Sequence, residues 1–238
     1  MLNKAEICED ILKNTKIFHF GTLSMTHEGV REATKEAIHI AEEAGAIISF
    51  DPNLRPPLWE SMEEARKQVL YGLGHCQILK ISDNEVEFLF GTTDYDEGAR
   101  LIREKYQIPL VLITIGKDGS RAYYKDLRVE VPGFVQEHTI ETTGAGDTFC
   151  ANSLNYILEH GMEELAEENL KELLTFANAA ASLITTRRGA LKVMPEKEEI
   201  EKIAVDNGSA FLYGSNFSLG VNLFFALNEK LAKLMQPF

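Results

Sequence analysis

The sequence has little cysteine: Cys8, Cys76 and Cys150 are its only 3 in 238 residues. An odd number at wide spacing supports neither a disulfide framework nor a paired-cysteine metal site, so reduced thiols in a cytoplasmic protein are expected. Basic charge is also scarce, with 24 Lys and Arg against 37 Asp and Glu and a formal net charge of -13. That balance excludes nucleic acid and anionic membrane as expected partners, because both attract a basic surface. It leaves a nucleotide open, since a few local donors and a metal ion can hold phosphates on an acidic protein. No apolar run approaches the ~20 residues of a membrane span. Residues 1–16 carry acidic side chains and no sustained apolar core, so no signal peptide is read there. Internal repeats and low-complexity tracts are lacking too. A hydrophobic content of 45% and a charged content of 26% are ordinary for a folded domain.

Alternation is what the chain does have. Short apolar, β-branched runs read as strands at Lys16–Phe20, Ala46–Phe50, Gln77–Ile81 and Leu110–Ile115. Helical patterns follow or separate them: Ala5–Lys13, Glu28–Ala44, Trp59–Leu73, Asn84–Phe90 with Asp83 as its cap, and Tyr95–Lys105. Such alternation predicts βαβ units and a mostly parallel sheet covered on both faces. Ligands then gather at the carboxyl ends of the strands. Each strand here leads into a polar or glycine-bearing segment: Gly21-Thr22, Asp51-Pro52-Asn53, Ser82-Asp83-Asn84 and Gly116-Lys117-Asp118-Gly119. After Gly119 the pattern turns antiparallel, with strands at Ser120–Tyr124 and Arg128–Val131. Helices are then expected at Asp147–Glu159, Leu165–Thr186 and Glu196–Ala204. From Ala210 to Phe238 the chain is apolar, reading as a strand at Phe211–Tyr213 and a helix from about Gly220 to Met235.

The segment Thr142-Thr143-Gly144-Ala145-Gly146-Asp147 carries the chemistry. Two glycines let the backbone turn sharply and approach a ligand. The helix that follows offers unpaired N–H groups and the positive end of its dipole, which is an anion site. Asp147 stands where a carboxylate can take a proton from a hydroxyl as its oxygen attacks phosphorus. Phosphoryl transfer depends on positioning and charge stabilisation, so this small set of parts is adequate. An ordinary acidic helix start is the competing reading.

With its neighbours, the segment resembles the second signature of the PfkB, or ribokinase-like, sugar kinases, whose motif reads roughly D-T-x-G-A-G-D. The resemblance runs from about Lys16 to Ile203. It includes Asp51-Pro52-Asn53-Leu54-Arg55, the N-x-x-E-like Asn84-Glu85-Val86-Glu87, Thr114-Ile115-Gly116-Lys117-Asp118-Gly119, Asn178-Ala179-Ala180-Ala181 and Thr186-Arg187-Arg188-Gly189-Ala190. The wording of Phe50–Trp59 is most similar to bacterial fructokinases. The implied fold is α/β, a ribokinase-like three-layer αβα sandwich with a mostly parallel sheet. The implied activity is ATP-dependent phosphorylation of a sugar hydroxyl, with fructose favoured and with sugar and ATP as the small-molecule partners.

The resemblance also implies roles. Asp147 would be the proton acceptor, with Gly144, Ala145 and Gly146 forming the anion hole. Thr114, Gly116, Gly119 and Asn178 would line the nucleotide site, Asn178 near the adenine. Asn53 and Arg55 would face the sugar or the transferred phosphate. Asn84 and Glu87 would hold Mg2+ through water, an arrangement suited to that ion. Glu141 stands where the family usually has Asp, and would contribute to a monovalent cation (K+) site with carbonyls near Arg188–Ala190.

Two departures stand out. Family members usually carry a further segment before the strand at Lys16–Phe20, with sugar-binding residues and a β lid; none is found, so N-terminal strands and lid are expected to be missing. Residues 1–203 therefore read as the nucleotide-binding part of a carbohydrate kinase, and 204–238 as an unrelated apolar tail. The tail from Ala210 to about Gln236 resembles an internal segment of dihydrodipicolinate reductase, without that enzyme's dinucleotide fingerprint or histidine pair. Two alternatives to an active kinase follow: a nucleotide-binding remnant, and a homo-oligomerisation module that uses the apolar tail.

Overall fold

The computed structural model describes residues 2–189 and 193–206. The expected strand and helix of the tail and Ala190 lie outside the described residues. A short 3-10 turn at Lys4–Glu6 and helix α1 (Glu9–Lys13) replace the single helix expected over Ala5–Lys13. The chain then runs β1 (Ile17–Gly21), α2 (Glu28–Glu43), β2 (Ile47–Asp51), α3 (Met62–Leu73) and β3 (Ile78–Ser82). It continues through α4 (Asp83–Phe90), α5 (Tyr95–Tyr106), β4 (Leu110–Thr114), β5 (Ser120–Tyr124) and β6 (Leu127–Val131). Helices α6 (Ala145–His160), α7 (Glu167–Ile184) and α8 (Lys197–Asp206) complete the described residues.

The six strands form one sheet in the order β1-β2-β3-β4-β5-β6. Pairs β1–β2, β2–β3 and β3–β4 are parallel, and β4–β5 and β5–β6 are antiparallel. The period of two along each strand sorts its side chains between two cores. Phe20, Ile48, Phe50, Leu79, Ile81, Val111 and Ile113 face α2 to α5, packing with Ile38, Val69, Leu73, Val86 and Ile102. Ile78, Leu110, Leu112, Ala122, Tyr124 and Val129 face α6 and α7, packing with Phe149, Ile157, Leu170 and Leu174. Both faces of the middle strands are dry, so their sequences are nearly continuous apolar runs. Helix α8 seals a smaller cluster against Ala179 and Ala180 of α7. The three layers are those the alternation predicts. Among the described residues, no helix is long and apolar enough to cross a membrane.

One cap differs from expectation. Ser82, not Asp83, caps α4: its hydroxyl accepts from the Glu85 amide, and the Glu85 carboxylate accepts from the Ser82 amide. This is a Ser-x-x-Glu capping box, and it fixes where α4 starts. Glu85, Val86 and Leu89 face inward, while Asn84 and Glu87 are exposed.

Candidate active site

The carboxyl ends of β1, β2 and β3 converge on the start of α6. Gly144 caps that helix with φ of 81°, and the Thr148 amide donates to the Gly144 carbonyl at 2.8 Å. The Ala145 amide is spent on the Thr142 carbonyl at 3.2 Å. The amides of Gly146 and Asp147, in the first turn, have no carbonyl within the helix to bond. The free-amide end of α6 is thus the pair Gly146 and Asp147 more than the full Gly144-Ala145-Gly146 turn. The Asp147 side chain is exposed beside it.

The loop after β2 meets Asp147. Asn53 Nδ2 donates to Asp147 Oδ1 at 3.2 Å. Asn53 has φ of 43°, a left-handed conformation that asparagine tolerates better than most residues. Three contacts hold the loop. Thr22, fully buried, donates its amide and hydroxyl to the Pro52 carbonyl at 3.1 and 2.5 Å. The Asn53 amide donates to Asp51 Oδ1 at 3.2 Å. The Leu54 amide donates to Glu85 Oε1 at 2.8 Å.

Beneath the loop lies a buried ion pair. Asp51 and Lys80, 3% and 5% exposed, share one sheet face on neighbouring strands, with Nζ 3.0 Å from Oδ2 and 3.2 Å from Oδ1. Burial pushes the Asp51 carboxyl up to about 6, against the pull of Lys80. Burial also works against the Lys80 charge, but Asp51 and Glu85 outweigh it and hold the ammonium above the usual lysine range. The pair is therefore ionised at neutral pH. Removing one member of such a pair typically costs about 3–5 kcal/mol, because the other charge is left buried and alone.

A hollow of about 580 Å³ opens beside β1, with His19, Asp51, Asn53 and Asp147 at its polar end and Leu2 and Ile11 among its apolar walls. It has room for a small polyol within reach of the Asp147 carboxylate.

Other residues singled out from sequence fall into three groups. Gly116 and Gly119 form the turn after β4, and Gly119 is packed against the Val131–Gly133 backbone. Thr114 ends β4 half-buried at the same edge. Asn178 is 6% exposed and saturated: it accepts from Ser120 Oγ at 2.9 Å and donates to the carbonyls of Val131 and Pro132 at 3.1 and 3.3 Å. Its amide ties α7 to the ends of β5 and β6 and so shapes the glycine turn. Asn178→Ala is expected to cost about 1–3 kcal/mol, since it orphans buried partners; a urea midpoint within 0.1 M of wild type, about 0.3 kcal/mol at the upper end of typical m-values, would contradict this. Glu141 Oε1 accepts from the Gly189 amide at 2.8 Å, and the Ile140 and Glu141 amides donate to the Thr185 carbonyl. This joins Glu141 to the loop after α7.

The Arg55 side chain is exposed and donates to the neighbouring Leu54 carbonyl at 3.4 Å. Asn84 and Glu87 are exposed and stand outside the Asp51–Asn53–Asp147 network. The sequence reading missed Lys80 and Glu85. Lys80 is a lone charge inside an otherwise buried strand, one step beyond the Phe50–Leu79 pairing, which puts it opposite Asp51. Glu85 is announced by the capping-box spacing from Ser82.

Comparison with known proteins shows the family. A family model described as pfkB family carbohydrate kinase matches residues 2–197. Fructokinase-2 of Solanum lycopersicum is 38% identical over 199 residues, 84% of this chain and 60% of that protein. A fructokinase from Xylella fastidiosa, solved with bound ATP, is similar with a TM-score of 0.75 at 25% identity, over 88% of this chain and 67% of that one. A double mutant of fructokinase from Vibrio cholerae O395, solved with fructose, ADP and a potassium ion, gives a TM-score of 0.72 at 28% identity, over 80% and 60% of the two chains. The chain spans about three fifths of the length of the plant relatives it matches.

Proposed function

The chain belongs to the pfkB family of carbohydrate kinases, and from that premise we propose that it transfers the γ-phosphoryl group of ATP to a hydroxyl of fructose. The observation that carries the reading is the Asp147 carboxylate, exposed at the free-amide end of α6 and held there by Asn53.

In this reading the sugar occupies the hollow beside β1, with the acceptor hydroxyl against Asp147. Asp147 takes the hydroxyl proton as the oxygen forms a bond to the γ-phosphorus. The bond from that phosphorus to the bridging oxygen breaks, and ADP leaves. The amides of Gly146 and Asp147 stabilise charge on the phosphoryl oxygens at a helix terminus, where donors are fixed in advance. The nucleotide lies along the turn of Thr114, Gly116 and Gly119, where glycines admit the phosphates. Asn178 holds that turn from behind. Asn53 keeps one amide proton and its carbonyl for the sugar, and Arg55, free in solvent, is available to phosphate.

Magnesium bound with ATP would neutralise phosphate charge. Among the described residues no three His, Cys, Asp or Glu side chains converge to hold a metal. Asn84 and Glu87, exposed on α4, would reach that ion through water, since magnesium keeps most of its waters and takes oxygen ligands. A potassium ion would sit by Glu141, whose carboxylate already reaches the loop after α7.

Phosphorus NMR of the chain with ATP, magnesium and fructose tests the proposal. A new phosphate-monoester resonance, growing with ADP and absent without fructose, is the expected result. ATP left intact, with a raised melting temperature in ADP, would instead indicate a nucleotide-binding remnant.

A further inference from the structure

We propose that Lys80 is a positioning residue for the phosphoryl transfer: through Asp51 it fixes the loop that presents Asn53 to Asp147. This rests on the kinase reading given above, but its geometry stands by itself. Lys80 Nζ meets both oxygens of Asp51, at 3.0 and 3.2 Å. The same Asp51 Oδ1 that Lys80 holds accepts the Asn53 amide at 3.2 Å. That bond closes a left-handed turn at Asn53, and the turned side chain reaches Asp147 at 3.2 Å. The path is thus an unbroken series of charged and polar contacts from the floor of the sheet to the base.

The same ammonium also lies close to the other side of the site. A Cβ added at Gly146 would stand 3.1 Å from Lys80 Nζ. The ammonium therefore lies directly under the first turn of α6, and Gly146 has no side chain in its way. Lys80 lies beneath the backbone that precedes Asp147 and clamps the carboxylate that sets Asn53. A lysine inside a buried strand carries a heavy desolvation cost, and packing alone would be better served by leucine. Positioning gives that charge a purpose.

The test uses the full chain and a double-mutant cycle, which separates residues acting through one another from independent ones. The variants are Lys80→Met, Asn53→Ala and the pair together. Lys80→Met is expected to lower kcat about tenfold or more while the KM for ATP changes less than threefold. Because Lys80 acts through Asn53, the double variant should be no slower than the slower single variant. Effects on kcat that multiply would overturn the proposal.

A readout without turnover accompanies it. The Asn53 side-chain amide, assigned by its loss in Asn53→Ala, should shift in nitrogen-15 NMR spectra when Asp147 is replaced by alanine. In Lys80→Met that response should vanish; an unchanged response would also overturn the proposal. If Lys80→Met does not fold, Asp51→Asn cuts the clamp from its other end at equal volume and carries the same two expectations. Should the unmutated chain transfer no phosphoryl group, the kinase reading fails, and the Asn53 resonance alone decides the role of Lys80.

Discussion

Replacing Asp147 by asparagine is expected to remove phosphoryl transfer almost entirely while leaving the fold and nucleotide binding in place. The amide side chain has nearly the volume of the native carboxylate but cannot accept the hydroxyl proton. The loss of a positioned general base lowers rates by about 10²–10⁴. Asp147 is exposed at the start of α6 and buries nothing, so little stability is at stake. Losing one negative charge at a helix N-terminus costs only about 0.3–1 kcal/mol. Nucleotide affinity should stay within a few-fold, because the amides of residues 146 and 147 are backbone groups and survive the change. Initial rates at saturating fructose, with ADP affinity measured in parallel by calorimetry, check both halves. A variant that keeps a tenth or more of the wild-type rate would show that the proton goes elsewhere.

The second large effect is structural. Gly119→Ala should destabilise the protein by about 3 kcal/mol or more, adding strain at a disfavoured backbone conformation to a steric overlap. Gly119 has φ of 109°, and a Cβ there would stand 2.1 Å from the Val131 carbonyl oxygen and 2.6 Å from the Gly133 amide nitrogen. Both neighbours are main chain, and Asn178 holds the Val131 and Pro132 carbonyls from the other side. Nothing near can swing away. For a chain of this size the melting temperature should fall by roughly 6–12 °C. Gly116→Ala is the matched control: its φ is 53°, but nothing lies within 4 Å of the added Cβ. That change should cost about 1–2 kcal/mol, the left-handed penalty alone. Equal melting temperatures for the two variants would contradict the packing argument.

Much of the architecture is legible in the sequence because buried parallel strands announce themselves as apolar β-branched runs. Ile78–Ser82 and Leu110–Thr114 each fall within a residue of the expected strand bounds. Glycine stops are equally readable, and Gly91 ends α4 in a left-handed conformation. The amino-terminal helix breaks in two because Ile7 and Cys8 are extended between its halves.

Side-chain direction is harder to read. Asn84 and Glu87 share a helix face because they are three apart, and Ser82 and Glu85 have the same spacing. The phase is set by Val86 and Leu89, which must face the core and therefore carry Glu85 inward and Glu87 outward. The apolar stripe holds that information, and the motif alone does not. Asn178 illustrates a different limit. Its place in the helix is plain, but its three hydrogen bonds run to Ser120, Val131 and Pro132, more than 40 residues away. No local pattern reports such partners. Lys80 lies between these cases: a charge within a buried strand signals a partner, and strand pairing names Asp51.

The most direct test of the account is ADP release coupled to a spectrophotometric readout, with fructose, ATP and magnesium, comparing the unmutated chain with Asp147→Asn. The account predicts fructose-dependent ADP formation by the unmutated chain and a rate at least about 100-fold lower for the variant, as expected on removing a general base. Equal rates in the two proteins, or ADP formation indifferent to fructose, would contradict it.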